Sequence, residues 1–335
     1  LPHDLIAQTP TEPRDHSRLM VVSRTGNCFS NHRFYNLPRF LQAGDVLVVN
    51  NTRVLPARIY GVKDVTGAKI ELLLLNQTTD GLWRALVKPG RRMRQGSEFR
   101  VPMVGNVEDI SGEVVSIEGG GVRLIKLSSD KPLCAGTIPL PPYITIPLQD
   151  QERYQTVYGD VDGSIAAPTA GLHFTSNLLG QIQKIGVEIA YVTLHVGLDS
   201  FRPINTDDPT EHKMHSEYWH IETDSADIIN RAKREGRRII SVGTTAVRVL
   251  EAVADFSSHG YSFVRPGSGW TSLYILPGYK FKIVDALVTN FHLPGSTLLM
   301  LTCAFAGQEL ILRAYEKASS LKYRFYSFGD AMLIL

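Results

Sequence analysis

GTIPLPPYITIP, residues 136 to 147, carries four prolines. Proline fixes φ and removes a backbone donor, so this stretch can be neither helix nor central strand. It reads as the exit from one texture of sequence into another. Upstream of it, from about Gly61, short strand-like runs follow one another: AKIELLLL (68–75), WRALVKP (83–89), EVVSIEG (113–119) and VRLIKL (122–127). Gly, Asn, Asp and Ser clusters separate them, and no helical period appears between them. That pattern predicts a small all-β domain.

On either side the texture is α/β. DVLVVN (45–50) reads as a buried strand, and VEIAYVTLHVG (187–197), RRIISVG (237–243) and FKIVDALVTNF (281–291) as others. Thr175 can cap a helix that runs to about Ile185 and stops at Gly186. A second helix fits Ser225 to Glu235 with Gly236 as its stop, and a third fits TTAVRVLEAVADF (244–256), opened by Thr244. STLLMLTCAFAGQELILRAYEKA (296–318) is one helix or two, with a break at Gly307. The expectation is an α/β domain made of residues 1–60 and 151–335, interrupted by an inserted β domain over 61–150.

Composition narrows the function classes. At 335 residues the chain exceeds what one compact core usually holds. A net charge of +2 leaves nucleic acid as a partner only through a local patch. KPGRRMRQG (88–96) supplies one, with Lys88, Arg91, Arg92 and Arg94 in a turn-rich segment. Cys28, Cys134 and Cys303 are far apart and form no CxxC pair, which suits a reducing cytoplasm. The apolar run near Leu298 to Ala306 is too short to span a membrane, and no signal peptide is apparent. The first residue is Leu1 rather than Met, so native residues are expected ahead of it.

Four strand-like runs end in loops with unusual polar residues: His173, then His195, then Thr244 with Thr245, then Asn290 with His292. In α/β folds ligands gather beyond the C-terminal ends of parallel strands. Helix N-termini follow three of the loops and suit a carboxylate or phosphate. Singly, each residue also has an ordinary reading: a hydrogen-bonded core histidine, a helix cap, or, for Arg248, a paired arginine. HKMHSEYWHI (212–221) raises zinc through His212, His215 and His220, but the spacing is not HExxH. A polar pair of His215 and Glu217 is the stronger expectation. GDVDG (159–163) is too short for a calcium loop. No GxGxxG, Walker A or GxSxG element is present.

Taken together, the blocks resemble the S-adenosylmethionine:tRNA ribosyltransferase-isomerase family of queuosine biosynthesis. The resemblance rests on LIAQTPTEPRDHSRLMV (5–21), GDVLVVNNTRVLPARI (44–59), AAPTAGLHFT (166–175), YVTLHVG (191–197), MHSEYWHI (214–221), VGTTAVRVLE (242–251), DALVTNFHLPGSTLLML (285–301) and YRFYSFGDAML (323–333). It implies a split α/β barrel-like domain with an inserted small β-barrel. It also implies a reaction: the ribosyl part of S-adenosylmethionine moves onto 7-aminomethyl-7-deazaguanine at the tRNA wobble position. Epoxyqueuosine results, with loss of adenine and methionine. S-adenosylmethionine is then a co-substrate, no metal is needed, and a monomeric cytoplasmic enzyme without membrane contact is expected.

That chemistry starts with proton removal beside a sulfonium and needs a positioned base and excluded water. His173 is the first choice for the base, with His195, His215 and His292 as alternatives or partners. Thr244, Thr245 and Arg248 are candidates for the methionine carboxylate. Glu217 and Asp285 could answer the sulfonium or the ammonium. Thr169 and Gly171 read as a close approach to the ligand, with Asn290 beside them. Asn51 and Arg53, with Arg58 as a weaker companion, stand before the insertion, where tRNA or co-substrate could be clasped. Gly295, Leu198, Asp199 and Ser272 depart from the family's pattern, which puts in doubt a backbone contact at 295 and a carboxylate role at 272. Two rival classes are a non-catalytic RNA-binding module and a metal-dependent hydrolase built on the 212–220 histidines.

Overall fold

The structure is a computed structural model. It describes residues 2–335 except 104, 106, 198–207, 209–213, 258 and 259. Two compact units divide the chain. One comprises residues 1–53 with 141–335, the other 54–140. The insertion thus starts seven residues earlier than 61 and ends ten before 150, because the strand Arg58–Lys63 already belongs to its sheet.

The larger unit is built on one nine-stranded mixed sheet with two edges. In spatial order its strands are Gly267–Thr271, Glu217–Ile221, Glu188–Leu194, Val46–Asn50, Ile239–Val242, Ala286–Asn290, Ala331–Ile334, Arg18–Ser23 and Cys28–Arg33. Glu188–Leu194, Val46–Asn50, Ile239–Val242 and Ala286–Asn290 are mutually parallel neighbours. The last three are buried at every residue. That suits their unbroken apolar runs, because parallel strands are covered on both faces. The period of two divides them: Val46 and Val48 join one core, Leu47 and Val49 the other. Helices α2 (Thr223–Arg234), α3 (Gly243–Ala252), α4 (Thr297–Ala306) and α5 (Gln308–Ser320) cover the first face. Helix α1 (Ser176–Lys184) and the 3-10 turns Phe34–Phe40 cover the second.

Caps and stops follow the sequence in part. Thr175 Oγ1 accepts from Leu178 N at 3.1 Å, and Gly186 has φ +86°. Helix α2 begins two residues before the expected Ser225, whose hydroxyl instead accepts from Tyr191 N. Thr244 lies inside α3, which has no side-chain cap, and residues 254–256 form a short strand rather than helix. Gly307, with φ +91°, divides α4 from α5 at a bend of 115°. Among the described residues no single helix is long and apolar enough to cross a membrane, although this bent pair has the length and composition together.

The smaller unit is a closed six-stranded antiparallel barrel. Its strands are Arg58–Lys63, Lys69–Gln77, Trp83–Lys88, Glu98–Val101, Ile110–Ile117 and Val122–Leu127. Ile70, Leu72 and Leu74 alternate inward to a core completed by Phe99, Val114 and Ile125. Gly112 sits opposite Phe99, and a β-carbon there would lie 2.2 Å from the ring. A glycine inside this strand is therefore required by packing.

Candidate active site

The four central parallel strands end at one edge of the sheet. Val46–Asn50 leads to Asn51 and Thr52, Glu188–Leu194 to His195, Ile239–Val242 to Thr244 and Thr245, and Ala286–Asn290 to His292. His173 arrives differently. AAPTAGLHF is not a parallel strand: Val161–Ser164 pairs only with Thr52–Val54, and Thr169–His173 is a 3-10 turn. The 3-10 turn lays Thr169 and Ala170 against the same edge.

An open cleft lies there. Thr169, Thr244, Thr245, Asn290 and His292 line it together with Tyr143, Thr289 and Ser327. The last three carried no assignment from sequence. The chain turns into the cleft at Tyr326, a non-glycine residue at φ +71°. Asn290 Nδ2 donates to Tyr326 O at 2.9 Å, and Tyr143 Oη meets Ser327 Oγ at 2.6 Å. Residue type gives little warning of a tyrosine in the left-handed region.

His292 is buried, with Nε2 on Thr289 Oγ1 at 2.7 Å and its backbone N–H on Tyr315 Oη at 2.7 Å. Burial pushes its pKa down to about 3, so it is neutral at pH 7. His173 is buried too, stacked on Phe34 with centroids 4.9 Å apart, and its Nδ1 meets Ser17 Oγ at 2.7 Å. Burial lowers its pKa to about 4; Asp330 and the Asn290 side chain pull upward, Arg324 and Arg14 downward. Its ring borders a smaller cavity with Ser17, Arg14 and Ser327. Thr245 Oγ1 is buried and makes no hydrogen bond to any described residue, and buried His173 Nε2 and Asn290 Oδ1 have no partner there other than each other's side chain. Buried polar atoms are normally satisfied, so these under-partnered groups set this end of the strands apart.

Other expected residues stand elsewhere. Arg248 and Glu217 are buried and paired with each other through Arg248 Nη1 and Glu217 Oε2. Arg248 Nε also donates to Leu273 O, and Glu217 Oε1 accepts from Gly197 N at 2.8 Å. They are not among the cleft's lining residues. Asp285 is at the opposite end of its strand, about 17 Å away at ~3.3 Å per residue, held by Lys233 Nζ at 3.2 Å and Ile239 N at 2.8 Å. It is not among the cleft's lining residues. Gly171 is also reassigned: a β-carbon there would lie 2.1 Å from Tyr158 Oη, so the close approach is to Tyr158.

His195 Nδ1 meets Thr52 Oγ1 at 2.8 Å, and burial lowers its pKa against the pull of Asp162. Asn51 Oδ1 accepts from Thr193 Oγ1 at 2.7 Å, and Arg53 pairs with Glu152 at 2.5 Å. His215 is exposed, ahead of the strand that starts at Glu217, and does not join the cleft. His220 pairs with Glu222 at 2.8 Å. His212, Leu198 and Asp199 lie outside the described residues. Among the described residues no group of three His, Cys, Asp or Glu side chains could hold a metal.

In the barrel, Lys88, Arg91, Arg92 and Arg94 are all exposed. Their loop is moulded by buried Arg123, whose Nε donates to Met93 O at 3.0 Å and Nη2 to Gly90 O at 2.7 Å. Arg58 pairs with Glu71 at 3.2 Å.

Comparison with known proteins fits this arrangement. The sequence model of a family described as "Queuosine biosynthesis protein" matches residues 1–334. A Dehalococcoides mccartyi protein named S-adenosylmethionine:tRNA ribosyltransferase-isomerase is 50% identical, over all of this chain and 97% of its own length. One of the same name from Symbiobacterium thermophilum is 52% identical with the same coverage. The crystal structure of S-adenosylmethionine tRNA ribosyltransferase from Thermotoga maritima is similar at a TM-score of 0.56 and 36% identity, covering 100% of this chain and 98% of that one. The chain therefore belongs to the queuosine biosynthesis family of S-adenosylmethionine:tRNA ribosyltransferase-isomerases, and is a transferase-isomerase.

Proposed function

We propose that the protein transfers and isomerises the ribosyl moiety of S-adenosylmethionine onto 7-aminomethyl-7-deazaguanine at the tRNA wobble position, giving epoxyqueuosine with release of adenine and methionine. The observation that carries this reading is the set of buried, under-partnered atoms beyond the strand ends: Thr245 Oγ1, which has no partner among the described residues, and Asn290 Oδ1 and His173 Nε2, which have only each other. Thr245 and Asn290 line the cleft, and His173 borders the smaller cavity that shares Ser327 with it. The N-terminus of α3 reaches it without a side-chain cap. Free N–H groups there suit the methionine carboxylate, with Thr244 and Thr245 beside it.

His173 is the proton acceptor in this reading. Its Nδ1 is held by Ser17, which leaves Nε2 as the reacting nitrogen. Burial keeps the ring deprotonated while making it a weaker base. The sulfonium of the co-substrate acidifies the adjacent C5′, so a weak base suffices. His292, whose Nε2 is taken by Thr289, positions the cleft wall instead. The barrel's basic loop, with Lys88, Arg91, Arg92 and Arg94, takes the tRNA backbone, and Asn51 and Arg53 are further candidates for tRNA contact. A cytoplasmic monomer that uses no metal completes the reading.

Purified protein given S-adenosylmethionine and tRNA bearing the aminomethyl-deazaguanine is expected to release adenine in step with tRNA modification. No adenine from correctly modified tRNA overturns the reading. Arg91→Ala with Arg92→Ala is expected to weaken tRNA binding and make its salt dependence shallower by roughly 1.5–2 in log–log slope.

A further inference from the structure

At one side of the sheet three strands form an antiparallel wing: Glu188–Leu194, Glu217–Ile221 and the edge strand Gly267–Thr271. Leu194 stands opposite Trp219, so the next residue, His195, faces Tyr218, and its N–H donates to Tyr218 O at 2.9 Å. Tyr218 in turn faces Trp270. Directly opposed residues share a sheet face, so the three rings make one row across three strands. His195 and Tyr218 are stacked, with centroids 5.6 Å apart and planes at 19°. Tyr218 and Trp270 meet edge to face at 5.8 Å.

The row is anchored at its inner end and open at its outer end. A β-carbon on Gly163 would lie 2.5 Å from His195 Nε2, so the imidazole rests directly on backbone, with Nδ1 on Thr52. Trp270 is 70% exposed. Its indole is the solvent-facing end of the row. The next row on the same face is polar, Thr193 facing His220 and His220 facing Ser268. Rings interleaved with hydroxyls and an imidazole match a wet, sequence-tolerant stacking surface better than an apolar protein interface. Val196, the residue after His195, lines the cleft.

We propose that His195, Tyr218 and Trp270 form a stacking platform for an unpaired nucleobase of the tRNA, next to the base that enters the cleft. Trp270 supplies the outer π face, and Tyr218 and His195 hold it in line. His195 is then a positioning residue rather than the base. The proposal rests on tRNA being the substrate, as argued above.

The test compares wild type, Trp270→Ala and Trp270→Phe. Each is titrated with an unmodified anticodon stem-loop RNA, read by tryptophan fluorescence and by a filter-binding Kd. Each is also assayed for S-adenosylmethionine binding and for adenine release with modified tRNA. Trp270→Ala is expected to raise the RNA Kd and the KM for tRNA by about 5- to 100-fold. S-adenosylmethionine affinity stays as in wild type, and Trp270→Phe recovers most of the loss. Wild-type RNA affinity in Trp270→Ala overturns the platform even if turnover is normal. A Trp270→Ala protein that loses self-association but keeps RNA affinity shows that the edge strand pairs with a second copy instead. Absence of adenine from wild type overturns the proposed reaction, whereas the stem-loop titration still decides the platform.

Discussion

The two ends of the four central parallel strands are chemical opposites. At the N-terminal end every strand starts in an ion pair. Asp45 takes Arg238 at 2.6 Å, Glu188 takes Arg237 at 2.6 Å, and Asp285 takes Lys233 at 3.2 Å. At the C-terminal end the groups are neutral: Thr245 Oγ1 without a partner among the described residues, and Asn290 Oδ1 beside His173 Nε2, whose ring has its pKa forced down. The same buried strands separate the two sets. One end is paired within the protein, and the other is the end proposed to receive the ligand. Polar groups at the closed end are therefore read as stability, and those at the open end as function.

The largest expected effect breaks the open end. His173→Ala lowers the rate of adenine release about 10²- to 10⁴-fold, the usual range for a lost general base. Binding of S-adenosylmethionine changes only a few-fold. Near-normal turnover in a folded variant makes His173 a structural partner of Ser17 and moves the base elsewhere.

Acid sharpens the same contrast. His173 and His292 have folded pKa values of about 4 and about 3, below the unfolded value near 6.5. The unfolded chain therefore binds more protons within that window. Stability is complete above about pH 6.5 and falls as pH drops toward 4 and then 3, by roughly 3 kcal/mol for His173 and roughly 5 kcal/mol for His292. Urea titrations at pH 7 and pH 5 measure it. His292→Gln should flatten the difference; an unchanged slope means that the ring is not held neutral by burial.

At the closed end, Asp45→Ala removes the acceptor of Arg238 and of Gln42 N. It should cost about 2 kcal/mol of stability, the partner arginine being partly solvated. Turnover of the folded fraction should hold. Asp285→Ala is the sharper form, since its carboxylate receives Lys233 and Ile239 N. A folded Asp285→Ala protein without activity breaks the division between the two ends.

Much of this division is visible in residue order, and some of it is not. Apolar runs such as DVLVVN announce buried strands, and the four prolines of 136–147 announce the change of texture. Thr244, Thr245, Asn290 and His292 are legible because they follow those strands and precede helices. Asp285 misleads because sequence shows a carboxylate next to a strand but not which end faces the ligand. Glu217 and Arg248 mislead because 31 residues separate two halves of one buried pair. Ser327 and Tyr326 are hidden for another reason: they come from a C-terminal segment whose entry into the cleft depends on backbone geometry at Tyr326. Cross-strand rows such as His195, Tyr218 and Trp270 need the register, which no single stretch contains.

The smallest effect is also the most discriminating. Thr245 Oγ1 is buried without a hydrogen-bond partner among the described residues. Thr245→Val keeps the side chain's shape and removes the orphaned hydroxyl. An unsatisfied group costs stability, so the variant should be as stable as wild type or up to about 1 kcal/mol more stable. If the hydroxyl meets the co-substrate, affinity for S-adenosylmethionine should fall about 5- to 10-fold, one net hydrogen bond's worth. Calorimetric binding and thermal unfolding on the same preparation read both. Gain in stability with loss of affinity places Thr245 at the open end as a ligand contact. Gain in stability with affinity intact makes it an ordinary packing position, and the ligand site then rests on Asn290 and the α3 N-terminus.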